Sequence, residues 1–357
     1  MSYDLVVVGA GIVGLGHAFH ALERGKSVCV VERADRPVGA SIRNFGHASV
    51  SAQSGEALEY GRAGRAVWTA LAEQAGFWLR ETGTYCAART DAELAVLTEF
   101  ARGEVLDPDE FARRSGIRTS HGGAWFAGDV QVDPREAAPA IARHLAARGA
   151  EFRWGVQAFG ARSGVLDTSH GPIEADSIVY AVNHDVTRVL PAAVAGVTVR
   201  DCALHMMRVQ APVTLAGPLL TGWSMLRYSG LADLPGVSRV RAELAERSPT
   251  GLDLDLHVMA TPQRDGTVLL GDTHLREEFA APFQEEAGFD LLLAEFAALI
   301  GTADITVRER WQGVYASSPG REFLCTEPEP GVFATIVTTG IGMTTAFGFT
   351  GALADRF

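Results

Sequence analysis

The chain is short of positive charge. Its 357 residues include 31 lysines and arginines against 43 aspartates and glutamates, a net charge of −12. That balance argues against nucleic acid or an anionic membrane surface as partner, and solubility is its simplest meaning. Cysteine is scarce too: Cys29, Cys86, Cys202 and Cys325 show no C-x-x-C pairing, so neither a zinc site nor a disulfide framework is indicated, no metal is expected, and the thiols should be buried. No stretch approaches the ~20 apolar residues of a membrane span. The first strand begins by about residue 3, which leaves no room for a secretory leader, and a cytoplasmic protein is expected. Internal repeats, low-complexity tracts and long charged runs are absent. With 47% hydrophobic and 21% charged residues the composition is ordinary for a globular protein, and the length exceeds a single core, so two domains are expected.

What is present begins at once. Residues 3–32, YDLVVVGAGIVGLGHAFHALERGKSVCVVE, read as strand, glycine turn, helix and second strand. Leu5 to Val8 are a continuous apolar run, the pattern of a parallel strand buried on both faces. Gly9, Gly11 and Gly14 form G-x-G-x-x-G. The first permits a tight turn, the second lets a pyrophosphate approach the backbone, and the third lets helix and strand pack closely. Ile12, Leu15, Phe19 and Leu22 recur at helical spacing, and Gly25 sits where a left-handed cap would end the helix. The helix N-terminus then faces the phosphates. Glu32 closes the second strand, placed to accept hydrogen bonds from a ribose 2′-hydroxyl, which disfavours a 2′-phosphate and therefore NADP. Three glycines alone are a weak signal, because a tight βα turn that binds nothing uses them too; strand, helix and acid in register point to a dinucleotide.

After Glu32 comes a long loop dotted with glycine and serine, where a simple NAD-binding unit would go straight to its next helix. Gly39, Ser41, Arg43 and Asn44 can wrap a second part of a large cofactor, Ser41 at the pyrophosphate and Arg43 or Asn44 beside a ring system. GAGIVG, Glu32-Arg33 and GASIRNFG together resemble the N-terminal signature of the FAD-dependent amine and amino-acid oxidoreductases, the glycine oxidase, sarcosine oxidase and D-amino-acid oxidase group. Ser41 to Gly46 is most similar to a subgroup associated with phosphonate catabolism; past Gly46 the match weakens, and His47 stands where an apolar residue is expected. The resemblance implies FAD held at Gly9, Ala10, Gly11, Ile12, Val13, Gly14, Glu32, Arg33, Ala40, Ser41, Arg43 and Asn44, with the backbone near Val156 touching the adenosine. It also implies a glycine turn after Ser177 to Val182, where this chain has Asn183-His184.

Residues 56–80 read as a helix with Leu58, Val67, Trp68, Leu71 and Phe77 turned inward, and 83–87 as a strand leaving the nucleotide domain. Residues 90–120 carry one helix, bearing Leu94, Leu97 and Phe100, and a polar link. Asp133, Pro134 and Glu136 predict a helix start with a capping box, the helix running to Gly149. Strands are expected near 152–159, 164–168 and 177–182. Residues 201–271 read as antiparallel strands, among them LLTGWSMLRYSG and DLDLHVMAT, with Asp265-Gly266 as a hairpin turn. One helix follows over 286–300. Val332 to Val337 form a last strand, 339–343 a glycine turn, and Thr344 onward a helix. That second helix N-terminus suits the anionic edge of a reduced flavin. In the family this turn lines the isoalloxazine, which implies Gly340, Ile341, Gly342, Met343 and Thr344 there; taken alone, a glycine turn in a buried strand–helix unit is an equal reading.

The expected fold class is α/β, an FAD-binding Rossmann-like domain built from 1–82, 128–200 and 303–357. A second α+β domain with a mostly antiparallel sheet takes 83–127 and 201–302. The expected reaction is oxidation of a small amine or amino acid, an aminophosphonate by resemblance, with O2 or another carrier as electron acceptor; an NAD-linked dehydrogenase and a non-catalytic flavin protein are the alternatives. Because the flavin carries the chemistry, the protein must orient the substrate, exclude water and supply a counter-charge. Arg43, His47, Arg208, His274, Trp311 and Tyr315 are the candidates for this, with Trp223, Arg227 and His257 beside them. His257 on an alternating strand reads more simply as a hydrogen-bonded residue, Arg208 equally as half of a salt bridge, and Met206, Met207 and Met225 as core. Some relatives link a histidine or cysteine to the flavin, which puts His47 and Cys325 in view; non-covalent FAD is the simpler expectation.

Overall fold

In the computed structural model, which describes residues 2–357, the strand Ser2–Val8 lies inside an eight-stranded sheet. Val28–Glu32 pairs with it in parallel on one side and Ile173–Tyr180 on the other, and Glu151–Trp154 and Val332–Val337 continue the parallel order outward. Both faces are covered, so Leu5, Val6 and Val7 are all buried and the strand has no alternation. Antiparallel strands finish the sheet beyond Ile173–Tyr180: Ala158–Arg162 with Val165–Thr168 along its first residues, and Phe323–Glu329 outside Val332–Val337, while Glu151–Trp154 forms the opposite edge.

Four helices cover one face of the parallel sheet, Pro134–Ala147 among them. Ile12–Glu23 and Gly342–Leu353 pack together, and Gly55–Ala75 lies along the latter through glycine notches. A Cβ on Gly64 would sit 3.1 Å from the carbonyl of Thr344, and one on Gly348 would overlap the backbone of Tyr60. Trp68 Nε1 donates to the carbonyl of Met343 at 2.8 Å, which ties the long helix to the terminal turn.

A second, nine-stranded sheet roofs the first, and it is antiparallel except where Leu219–Leu220 runs beside Thr84–Ala87. Its spine is Arg200–Gln210, paired with Val268–Gly271, Leu275–Glu277 and Thr306–Ser317. The last pairing differs from the expected boundary at residue 303. Thr306–Ser317 belongs to the roof because it runs antiparallel to the whole length of Arg200–Gln210, and the chain rejoins the parallel sheet only with Phe323–Glu329. The hairpin at Asp265-Gly266 is present, joining Met259–Pro262 to Val268–Gly271, with Gly266 at φ +79°.

Elsewhere helices replace expected strands. Within residues 219–258 only Leu219–Leu220 is extended, and helices Gly222–Met225, Ser229–Ala232, Val237–Arg247 and Pro249–Asp253 follow. Thr221 caps the first of them with a capping box, and Val237, Val240 and Leu244 bury one helical face of the third. A second helix, Pro108–Ser115, stands in the expected polar link, its start capped by Asp107 accepting from Glu110 N at 2.9 Å. Asp133 caps the helix Pro134–Ala147 as expected, through Arg135 N, but Glu136 turns away to Trp78 N and Arg264 and closes no box. Three of the four free cysteines are buried; Cys325 is half-buried beside Arg356. Among the described residues no helix is long and apolar enough to cross a membrane.

Candidate active site

The two glycine turns meet at one cavity of about 410 Å3. At the first, Gly9 has φ +104°, and a Cβ there would sit 2.7 Å from the carbonyl of Ala181 in the neighbouring strand, so no side chain fits. A Cβ on Gly14 would overlap the carbonyl of Gly9, which is the close helix–strand packing its spacing predicts. Ser41 Oγ accepts from Ile12 N at 2.8 Å and so folds the long loop back over the helix start. Glu32 accepts from Ala10 N at 2.9 Å and Ala34 N at 3.0 Å, holding the glycine turn against the strand end while its carboxylate still borders the cavity.

Most residues expected at a cofactor line this cavity. From the first turn and loop come Gly9, Gly11, Ile12, Val13, Glu32, Arg33, Ala40, Ser41, Arg43 and Asn44; Val156 follows from the sheet edge, and Gly340, Ile341, Gly342, Met343 and Thr344 from the terminal turn. Ala10 and Gly14 lie behind the wall. Gly342, first residue of its helix, has open space where a Cβ would stand, and Gly11 meets only Ser41 Oγ at 3.1 Å. At the turn where the resemblance implied glycine, Asn183 takes φ +54°, a left-handed conformation that asparagine tolerates best after glycine.

The candidates for substrate divide. Arg43, His47, His274 and Tyr315 line the cavity, as do Arg227 and His257. Arg208 does not: it sits on the roof sheet, 2.7 Å from Glu309 and 3.3 Å from Asp265. Trp311 also lies outside, its Nε1 donating to the Arg43 carbonyl at 3.1 Å and its ring under the guanidinium of Arg135. Trp223 is buried in the roof core, bonded to Glu295. Both residues of Met206-Met207 and Met225 are core.

His47 Nε2 shares a 2.6 Å hydrogen bond with Thr84 Oγ1 and lies 3.8 Å from Asp129, while its Nδ1 is buried without a partner. Arg227 reaches Asp255 at 2.7 Å, and Asp255 also takes Arg276 at 2.7 Å. Burial works against the Arg227 charge, but the carboxylates of Asp255 and Asp272 hold its pKa above the ordinary value. Burial pushes the Tyr315 hydroxyl well above its usual range, so it remains a neutral phenol. Asp272 and Tyr228 also line the wall, and the sequence reading passed over both. Asp272 stands two residues before His274 and carried no other mark; Tyr228 lay in a stretch read as strand.

A parallel sheet with helix N-termini at two strand ends, converging on one cavity under an antiparallel roof, defines a dinucleotide-dependent oxidoreductase architecture. The DAO family, described as FAD dependent oxidoreductase, matches residues 4–356, and the chain belongs to that family. Among curated proteins it is similar to glycine oxidase of Geobacillus kaustophilus (strain HTA426), 26% identical over 240 residues; the match covers 60% of this chain and 63% of that protein, less than two thirds of its length. Two solved glycine oxidases share the fold over 99% of this chain and 94% of theirs: that of Geobacillus kaustophilus at TM-score 0.78 and 21% identity, and that of Bacillus cereus ATCC 14579 at 0.80 and 19%. L-amino acid deaminase from Proteus vulgaris matches at TM-score 0.76 and 18% identity, over 99% of this chain and 89% of its own. The cofactor is FAD, and the open space at Gly342 and the bare backbone at Gly9 and Gly11 fit it.

Proposed function

We propose that the protein oxidises a small amine that also carries an acid group, an α-amino acid or an aminophosphonate. The observation that carries this reading is Arg227: a guanidinium only 15% exposed, in the wall of the cavity that the Gly340 turn also lines. A buried cation whose carboxylate partner is shared with Arg276 has donors left for a substrate anion, and a planar fork suits carboxylate and phosphonate alike. The similar proteins, a glycine oxidase and an L-amino acid deaminase, support nitrogen next to the oxidised carbon. The aminophosphonate alternative rests on the Ser41 to Gly46 loop.

FAD held at the two glycine turns would supply the hydride acceptor for the carbon next to nitrogen, with O2 or another carrier as the final electron acceptor. The chain's residues do the rest. Arg227 anchors the acid, which fixes one end of a small molecule and leaves few orientations for the other. Tyr228 and Tyr315 wall the cavity with apolar rings and limit water. Thr344 and Ile341, at the start of the terminal helix, present the positive end of the helix to the cavity. Loss of the hydride from carbon and a proton from nitrogen leaves an imine, which water hydrolyses to an aldehyde or keto acid with release of ammonia or the alkylamine.

The test is the visible spectrum of the purified protein before and after anaerobic addition of glycine, sarcosine, D-alanine and aminoethylphosphonate. Flavin bands that bleach with an acid-bearing amine are expected. A yellow protein that no amine bleaches would overturn the reading.

A further inference from the structure

Asp272 and His274, 4% and 6% exposed, follow the strand Val268–Gly271 and line the cavity beside Arg227. His274 Nδ1 lies 2.9 Å from the carbonyl oxygen of Asp255, an atom that can only accept. The ring proton is therefore on Nδ1, and Nε2 carries a lone pair. That lone pair faces Asp272 Oδ2 across 3.6 Å. His257 Nδ1 is 3.2 Å from the other oxygen, Oδ1, without making a hydrogen bond to it, so that oxygen is buried and unpartnered; His257 Nε2 pairs with Ser224 Oγ at 3.0 Å, whose oxygen already accepts from Thr221 N.

Two acceptors that face each other in a buried wall repel unless a donor lies between them. The histidine does not provide it at neutral pH, because burial and then the charge of Arg227 push His274 well below the ordinary imidazole value. The other polar groups packed around the pair leave the gap open: Asp255 is held by Arg227 and Arg276, and Tyr228 and Tyr315 present rings to the histidines, 5.5 Å from His257 and 6.2 Å from His274. Tyr315 in turn touches the terminal glycine turn. The gap thus lies between the anion anchor and the helix start assigned to the flavin.

We propose that the substrate's amino group sits in the cavity against this pair, where Asp272 Oδ2 and His274 Nε2 accept two of its N–H bonds while Arg227 holds the acid. This rests on the function proposed above and sharpens it. The seat takes groups with two N–H donors, primary amines and singly N-substituted ammonium ions. It discriminates against alcohols and N,N-dialkylated amines, which bring one donor and leave an acceptor unpaired. His257, Asp272 and His274 also offer ligand atoms within 4.8 Å of one another, a spacing that a divalent cation would accept. The nearby guanidinium raises the cost of a doubly charged ion more than that of an ammonium group.

The test uses the FAD-loaded enzyme and two ligands that it cannot oxidise. The first, α-aminoisobutyrate, has no hydrogen on the carbon next to nitrogen, and pivalate has the same shape with a methyl group in place of the ammonium. Calorimetric titration should show the amino acid binding about 10- to 100-fold more tightly than pivalate, the range of charge-assisted hydrogen bonds. In Asp272→Asn the ratio should fall towards one, with flavin content and pivalate affinity kept as evidence of an intact site. His274→Gln should lower the ratio in part, and it serves alone if the first variant does not fold. Equal affinities in the native enzyme, or a ratio undisturbed in both variants, overturn the seat and leave Arg227 and amine oxidation standing. So does a stoichiometric divalent metal in the purified protein that Asp272→Asn loses. If neither ligand binds and no amine bleaches the flavin, it is the proposed function that fails.

Discussion

Tyr315 of the roof lies against Gly340 of the terminal turn so closely that a Cβ on the glycine would stand 3.0 Å from the tyrosine ring. Gly340 also has φ +77°, so a substitution meets two obstacles, a backbone conformation L-residues avoid and a ring that must move. Gly340→Ala is expected to cost about 1 kcal/mol in backbone strain alone. It should also release FAD several-fold more readily, because displacing Tyr315 parts the roof from the turn. The flavin-to-protein ratio after dialysis and the thermal midpoint check this; both unchanged would show that the contact does not hold the turn.

Arg227 and Arg208 should separate cleanly. Arg227→Ala is expected to raise KM for acid-bearing amines by about 10- to 100-fold, the loss of a charge-assisted anchor, and to change KM for neutral amines little. Arg208→Ala should stay within about twofold for both, because its partners Asp265 and Glu309 lie on the roof away from the cavity. Parallel steady-state kinetics on one acidic and one neutral amine decide it. An Arg208 variant that loses acidic substrates selectively would return that residue to the site.

Acid should destabilise the fold partly through His17. It is buried, bonded to Thr335 Oγ1 at 2.9 Å, and burial lowers its pKa to about 3. The unfolded chain binds a proton near pH 6.5 and the folded chain does not. The stabilising contribution is thus complete above pH 6.5 and is lost as pH falls from there towards 3, by up to about 4 kcal/mol. Denaturant titrations between pH 7 and pH 4 should show a shallower decline in His17→Gln, whose amide can keep a bond to Thr335. Equal slopes would mean that His17 is protonated within the fold.

FAD is expected to be released intact on denaturation. His47 borders the cavity, but its Nε2 is engaged by Thr84. Acid precipitation should leave all flavin in the supernatant, in the native protein and in His47→Ala alike. Flavin that stays with the pelleted native chain, and not with the variant, would show a histidyl link through the unpartnered Nδ1.

The nucleotide half was legible because its signals are local. The apolar run Leu5 to Val8, the spacing of Gly9, Gly11 and Gly14, and Glu32 at the strand end each follow from what one strand–turn–helix unit needs, and no distant contact has to be known. The helix over 286–300 and the strand Val332–Val337 were legible for the same reason, a clear period between clear ends. Residues 222–253 were not. Their short helices carry few periodic positions, and apolar runs such as LLTGW suit a buried strand as well as a capped helix until the packing around Trp223 is known. Arg208 and Arg227 are equally plain arginines in a one-dimensional reading. Nothing local distinguishes a guanidinium that meets Glu309 on the surface from one that enters a cavity.

The sequence by itself determined a strand–glycine turn–helix unit of dinucleotide-binding type at the start of the chain and a second strand–turn–helix unit at its end, because glycine spacing and strand–helix order are written in neighbouring residues. Only the tertiary structure decided which side chains share the cavity. Asp272, His274 and Arg227 are brought together by the packing of the roof around the strand Val268–Gly271 and the helices after Leu220, contacts between distant segments that no local period records. Burial then changes their chemistry: it removes water from the groups and leaves two acceptors and a guanidinium facing one small space.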